Sequence, residues 1–174
     1  MRVGGGMIGA DYAQLMARYN AWQNDSLYRA AGTLDDAARR LDRGAFFGSI
    51  HGTLAHLLWG DAMWMSRFDG WEAPGSGIRE SATWIENWDD LKARRIEADA
   101  GIRDWAFRLS DAALAGDLTW KSGALNREVT KPFGALVVHF FNHQTHHRGQ
   151  VHALLTAAGA VPEATDLFIL PDDW

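Results

Sequence analysis

The run Asn142-His143-Gln144-Thr145-His146-His147-Arg148-Gly149-Gln150 decides the fold, because it sets two imidazoles four residues apart inside a segment of helical periodicity. Phe133, Leu136, Val137, Phe140, Phe141, Val151, Leu154 and Leu155 recur around it at helical spacing. Thr130-Lys131-Pro132 supplies a cap region with proline at the expected first helical position, and Gly159 followed by Pro162 ends the run. Side chains at i and i+4 share a face, with Cβ atoms about 5–6 Å apart, so one helical turn offers two nitrogens to a single ion. At about 100° per residue, His143 and His147 make the best pair, His139 and His143 the second, and His152 lies opposite His143.

Five of the seven histidines fall between 139 and 152, and burying several imidazoles among Phe and Leu is costly unless each has a partner. Two nitrogens rarely hold a divalent metal tightly, and there is no cysteine to supply thiolate. The natural third donor lies in the stretch from Ser49 to Asp61, where Ser49 can cap a helix running through Ala62, Trp64 and Met65. His51 and His56 are about 140° apart on that helix and cannot both face one metal. His56 sits amid Leu54, Leu57, Leu58 and Trp59, with Gly52 at i−4 and Gly60 at i+4. Each glycine costs about 1 kcal/mol relative to alanine in a helix interior, which suggests that volume was removed above and below His56. Glycine also permits close helix packing.

Two further helices complete the pattern. Asp11 precedes a periodic segment (Tyr12, Leu15, Met16, Tyr19, Trp22, Leu27) that stops near Gly32, and Thr83 with Glu86 forms a capping box before Trp88, Leu91, Ile96, Ile102 and Trp105. Residues 68–80, with Gly70, Pro74, Gly75 and Gly77, read as a crossing loop. Residues 117–130 alternate around Ser122-Gly123 as a short hairpin leading into the last helix. Leu167, Phe168, Ile169 and Leu170 in the tail are expected to pack against the bundle, and the nine tryptophans to serve mainly packing.

With 174 residues and 47% hydrophobic content, the chain reads as one all-α domain over 1–174, with 1–10 expected to be flexible. No window approaches the roughly 20 apolar residues of a membrane span. Seventeen basic and 22 acidic residues give a net charge of −5 without a Lys/Arg stripe, which argues against nucleic-acid binding. The amino terminus lacks the apolar core of a signal peptide, and the absence of cysteine excludes disulfides, so a cytoplasmic location is favoured. No serine elbow, phosphate-binding glycine loop or HExxH motif is present.

The combination of "SIHGTLAHLLWGD" (49–61) with "HFFNHQTHHRGQVHALL" (139–155), after "ARYNAWQNDSL" (17–27), resembles the DinB (damage-inducible) family of DinB/YfiT-like metalloenzymes. That family is unrelated to the DNA polymerase sharing the name. The similarity runs from about residue 12 to 170. It implies an all-α four-helix bundle with up-down-down-up connectivity, a metal held by three histidines and frequent homodimerisation. Carried over by position, the ligands fall on His56, His143 and His147, leaving His51, His139, His146 and His152 outside the ligand set. The resemblance also implies transfer or isomerisation with a low-molecular-weight thiol cosubstrate, or hydrolysis.

Three neutral imidazoles leave a dipositive ion with open positions, the layout of a catalytic rather than a structural site. Zinc or nickel is favoured, although iron, cobalt and copper also accept imidazole. Asn20, Asn24, Asp61, Arg148 and Gln150 are candidates for the surroundings. A ligating histidine usually donates its other N–H to a carboxylate or carbonyl, a task open to Asp61, Asn24 or Gln150. The alternative to an enzyme is a non-catalytic metal-binding or stress-response protein. If a metal with an open position drives the chemistry, both metal binding and turnover are expected to fall as pH drops through the histidine range near about 6.5.

Overall fold

The four periodic segments form four long helices in a computed structural model that describes residues 6–123 and 125–174. In chain order the elements are α1 (Ala10–Gly32), the short α2 (Asp36–Arg40), α3 (Ile50–Phe68), α4 (Trp88–Arg108), the short α5 (Asp111–Leu114), an antiparallel pair β1 (Asp117–Ser122) and β2 (Arg127–Pro132), and α6 (Phe133–Ala157). Short 3-10 turns cover Ile78–Thr83 and Leu167–Ile169. α1 packs on α4 and α6, and α3 packs on the same two helices. No described helix is long and apolar enough to cross a membrane.

The apolar core is divided in two. One cluster gathers Leu27, Ile50, Leu54, Leu58, Leu91, Val151 and Leu155, and the other Ala17, Met65, Ile102, Trp105, Val137, Phe140 and Phe141. Each large side chain so buried contributes roughly 1.5–3 kcal/mol. On all four long helices the residues between the clusters are polar and buried: Asn20 and Asn24, Asp61, Arg95, and Gln144 with Arg148. His56, His143 and His147 stand in the same stretches of α3 and α6, so the site lies at the level where the chain already gives up apolar packing.

Several expected boundaries move. Asn87, not Thr83, caps α4: its side-chain oxygen accepts from the amides of Asp89 and Asp90 at 2.9 and 3.0 Å. Thr83 instead donates to the Glu80 carbonyl and closes the 3-10 turn, which also shortens the loop expected over 68–80. Pro132 is the N-cap of α6 and Phe133 its first residue. α6 ends as expected at Gly159, whose φ of 81° lets the Ala160 amide reach back to the Leu155 carbonyl at 3.0 Å.

The tail docks by a different chemistry from the one its sequence suggests. Phe168 is 87% exposed, and Leu167 and Ile169 are also exposed. Polar side chains of α1 hold the tail backbone instead: Tyr19 donates to the Thr165 carbonyl at 2.6 Å, Gln23 to Ala164 at 3.0 Å, and Arg18 to Pro171, Asp172 and Trp174. Of the stretch expected to be flexible, residues 1–5 lie outside the described residues, Ile8 packs against the second core cluster, and Ala10 begins α1.

Candidate metal centre

α6 presents His143 and His147 one turn apart, as the spacing predicts, with their Nε2 atoms 3.1 Å from each other. α3 packs against this face and brings His56, so that one ligating nitrogen from each of the three rings lies within 4.8 Å of the others. Gly60 makes this approach possible. A Cβ there would stand 2.8 Å from His143 Cε1, so the space left at Gly60 is occupied by the histidine of the other helix. Gly52 has a different task, since its Cβ would meet the Phe47 carbonyl at 2.5 Å. The expectation that both glycines clear volume around His56 itself is corrected accordingly. Gly60→Ala is expected to displace the His143 ring and weaken metal affinity about tenfold, although alanine favours the helix by about 1 kcal/mol. Competition titration with a metallochromic chelator would check this, and unchanged affinity would remove the assigned role.

The turn before α3 closes the site from above. The Gly48 amide bonds back to the Ala45 carbonyl at 2.8 Å with Gly48 at φ 73°, a conformation suited to glycine. Phe47 is thereby laid on His56, ring centroids 3.6 Å apart, and edge-on to His147 at 5.4 Å. Trp59 also stacks on His56, at 5.9 Å. His56 and His147 are buried, and His143 is the member with partial access to solvent.

Hydrogen bonds orient two of the rings. Ser81 donates its hydroxyl hydrogen to the Ile78 carbonyl at 2.7 Å, so its oxygen must accept from His56 Nδ1–H at 2.8 Å. Gln150 Oε1 accepts from His147 Nδ1–H at 2.8 Å. Both rings therefore carry their free lone pair on Nε2. Of the residues considered from sequence for that task, Gln150 is the one in contact with a ring of the group. Asp61 and Asn24 do not: Asp61 accepts from Arg95 and Gln144, and Asn24 donates to Asp99. Asn20 and Arg148 bond each other in the same polar layer. Ser81 carries no signal in the sequence, because its contact spans 25 residues and depends on the 3-10 turn.

The donor set fits a divalent ion. Two bonds of about 2.0–2.1 Å at a tetrahedral angle span about 3.3 Å, close to the 3.1 Å between the two Nε2 atoms. Burial, reinforced by the neighbouring imidazoles, lowers the pKa of His56 to about 3 and that of His143 to about 4. Burial also lowers that of His147, against the opposing bond to Gln150. The rings are therefore neutral at physiological pH, the form in which imidazole can ligate a metal. His51, whose Nε2 bonds the Ile85 carbonyl, along with His139, His146 and His152, stands outside the three-histidine group.

The DinB family model matches residues 7–172, nearly the whole chain. The chain belongs to the DinB family. It is also 26% identical over 164 residues to Protein DinB of Bacillus subtilis (strain 168), an alignment covering 90% of this chain and 92% of that protein. Family membership thus joins an arrangement in which three histidines can hold a metal ion.

Proposed function

We propose that this DinB-family chain is a metal-dependent enzyme, a thiol-dependent transferase or isomerase or a hydrolase, using one divalent ion held by His56, His143 and His147. The observation that carries the reading is the convergence of these three rings without a fourth protein ligand in the group among the described residues. Such an ion, zinc or nickel by preference, supplies Lewis acidity and open positions for a substrate oxygen or thiolate. The protein's own part is to fix the rings through Ser81 and Gln150, keep them neutral by burial, and exclude water with Phe47 and Trp59. The proposal includes one domain over 1–174 with up-down-down-up connectivity, a cytoplasmic homodimer, and any thiol arriving as a cosubstrate, since the chain has no cysteine.

The test is a screen of metal-reconstituted protein against small thiols paired with electrophiles, beside a panel of esters and amides, with His147→Ala as control. Turnover that survives in that variant after chelation overturns metal catalysis. Silence across both panels favours a non-catalytic metal-binding protein, a reading supported by the enclosure of His56 between Phe47 and Trp59.

The depressed pKa values move the pH window below the one expected for free histidine. Between about 6.5 and 4 the unfolded chain takes up protons on His56 and His143 while the folded chain does not. The metal-free protein is therefore expected to lose stability as pH falls across that interval, and its stability to rise with pH up to about 6.5. Metal affinity should persist below about 6.5 and fall as pH approaches about 4. Urea midpoints and metal titrations at pH 7, 6 and 5 would check both; a urea midpoint independent of pH would contradict the assignment.

A further inference from the structure

Arg148 follows His147 directly, and at about 100° per residue it leaves α6 on another side from the metal centre. The residue is 5% exposed, and among the described residues it makes no ion pair. The buried acids of the polar layer, Asp61 and Asp99, are engaged by Arg95 at 2.6 and 2.9 Å. Arg148 has neutral partners: Asn20 Oδ1, Thr145 Oγ1 at 3.2 Å, and the face of Tyr19 at 5.4 Å. Asp61 and Asp99 attract it only from beyond contact distance, and a buried guanidinium that touches no anion is costly, while its planar fork suits a carboxylate.

This side chain lines a cavity of about 310 Å³ between α1 and α6, together with Tyr19, Leu27, Thr145, His152 and Ala153. No lining residue is acidic, in a chain whose net charge is −5. His152, one turn beyond Arg148 and so on the same face, has a buried Nδ1 without a partner. Gly149 also lines the cavity, and a Cβ there would meet nothing within 4 Å, so the floor is open. Leu27, Ala153 and the Tyr19 ring supply apolar wall, and the tail held by Tyr19 and Gln23 forms one rim.

We propose that this cavity binds a small organic monocarboxylate, its charged end between Arg148 and His152 and its apolar body against Tyr19, Leu27 and Ala153. The size is at the small end of ligand pockets. The site lies apart from the three ligating histidines and does not depend on their chemistry.

Calorimetric titration of the full chain with hexanoate tests it, with hexan-1-ol and inorganic phosphate as separate arms. Hexanoate is expected to bind at about one per chain with Kd below about 1 mM, and hexan-1-ol at least about tenfold more weakly because it lacks the charge. Arg148→Gln should abolish the difference between the two. Because that variant removes a buried group, Ala153→Phe, at an exposed position that fills the cavity, is the second arm; it should lose hexanoate while retaining metal content and helical circular dichroism. The proposal is overturned if hexanoate does not bind below about 1 mM, if hexan-1-ol binds equally, if phosphate binds more tightly, or if Ala153→Phe leaves the titration unchanged.

Discussion

Replacing His143 and His147 together by alanine is expected to reduce bound metal from about one ion per chain to near zero. A single imidazole from α3 would then remain where the structure gathers three. His56→Ala should cause a comparable loss by removing the donor that only tertiary packing supplies. Ser81→Ala and Gln150→Ala leave all three ligands but release the Nδ1 protons that hold two of them in place. Their expected effect is a loss of about tenfold to a hundredfold in affinity, the range typical of partners that orient ligating histidines. His152→Ala, outside the three-histidine group, should retain wild-type metal. Elemental analysis of the purified variants reads all of these, and full stoichiometry in the double variant would sink the assignment.

The second large effect is on stability. Asp61 is 0% exposed and accepts from Arg95 at 2.6 Å and Gln144 at 2.8 Å, joining α3 to both α4 and α6. Burial raises its carboxyl pKa against the pull of Arg95, so the pair does not stabilise by its full Coulomb energy. Breaking it is another matter, because Asp61→Ala leaves buried donors on Arg95 and Gln144 without their acceptor. The expected cost is about 3–5 kcal/mol, a large share of the roughly 5–15 kcal/mol by which a domain is stable. At this chain length that lowers the melting temperature by about 10 °C. Asp25→Ala is the control: its pair with Arg29 is exposed on both sides and should be worth under about 1 kcal/mol. Equal urea midpoints for the two variants would show that the polar layer does not hold the helices together.

The angular argument that sets His51 aside from His56 applies with equal force to Asp61. Five positions on an α-helix are about 140°, so a carboxylate at that spacing cannot orient the imidazole, and in the structure it instead faces Arg95 and Gln144. The same reasoning explains Arg148, which shares a helical turn with His147 yet faces α1 rather than the three-histidine group. The tail departs from its apolar pattern for a different reason. Four apolar residues in a row suggest docking by side-chain burial, whereas the carbonyls of residues 164, 165, 171, 172 and 174 meet Tyr19, Gln23 and Arg18 on α1 and leave Phe168 in solvent.

What the sequence determined by itself was local: the four long helices, the end of α6 at Gly159, and the placement of His143 and His147 on one face. Helical periodicity and the i, i+4 relation need no knowledge of the rest of the chain. That His56 completes the group was legible only through resemblance and two unexplained glycines. Their reasons lie in other elements, the His143 ring against Gly60 and the Phe47 carbonyl against Gly52. Ser81, the Phe47 cover and the division of the core by a polar layer were decided by tertiary structure alone. Each is a contact between segments far apart in the chain, and its energy depends on how the helices pack.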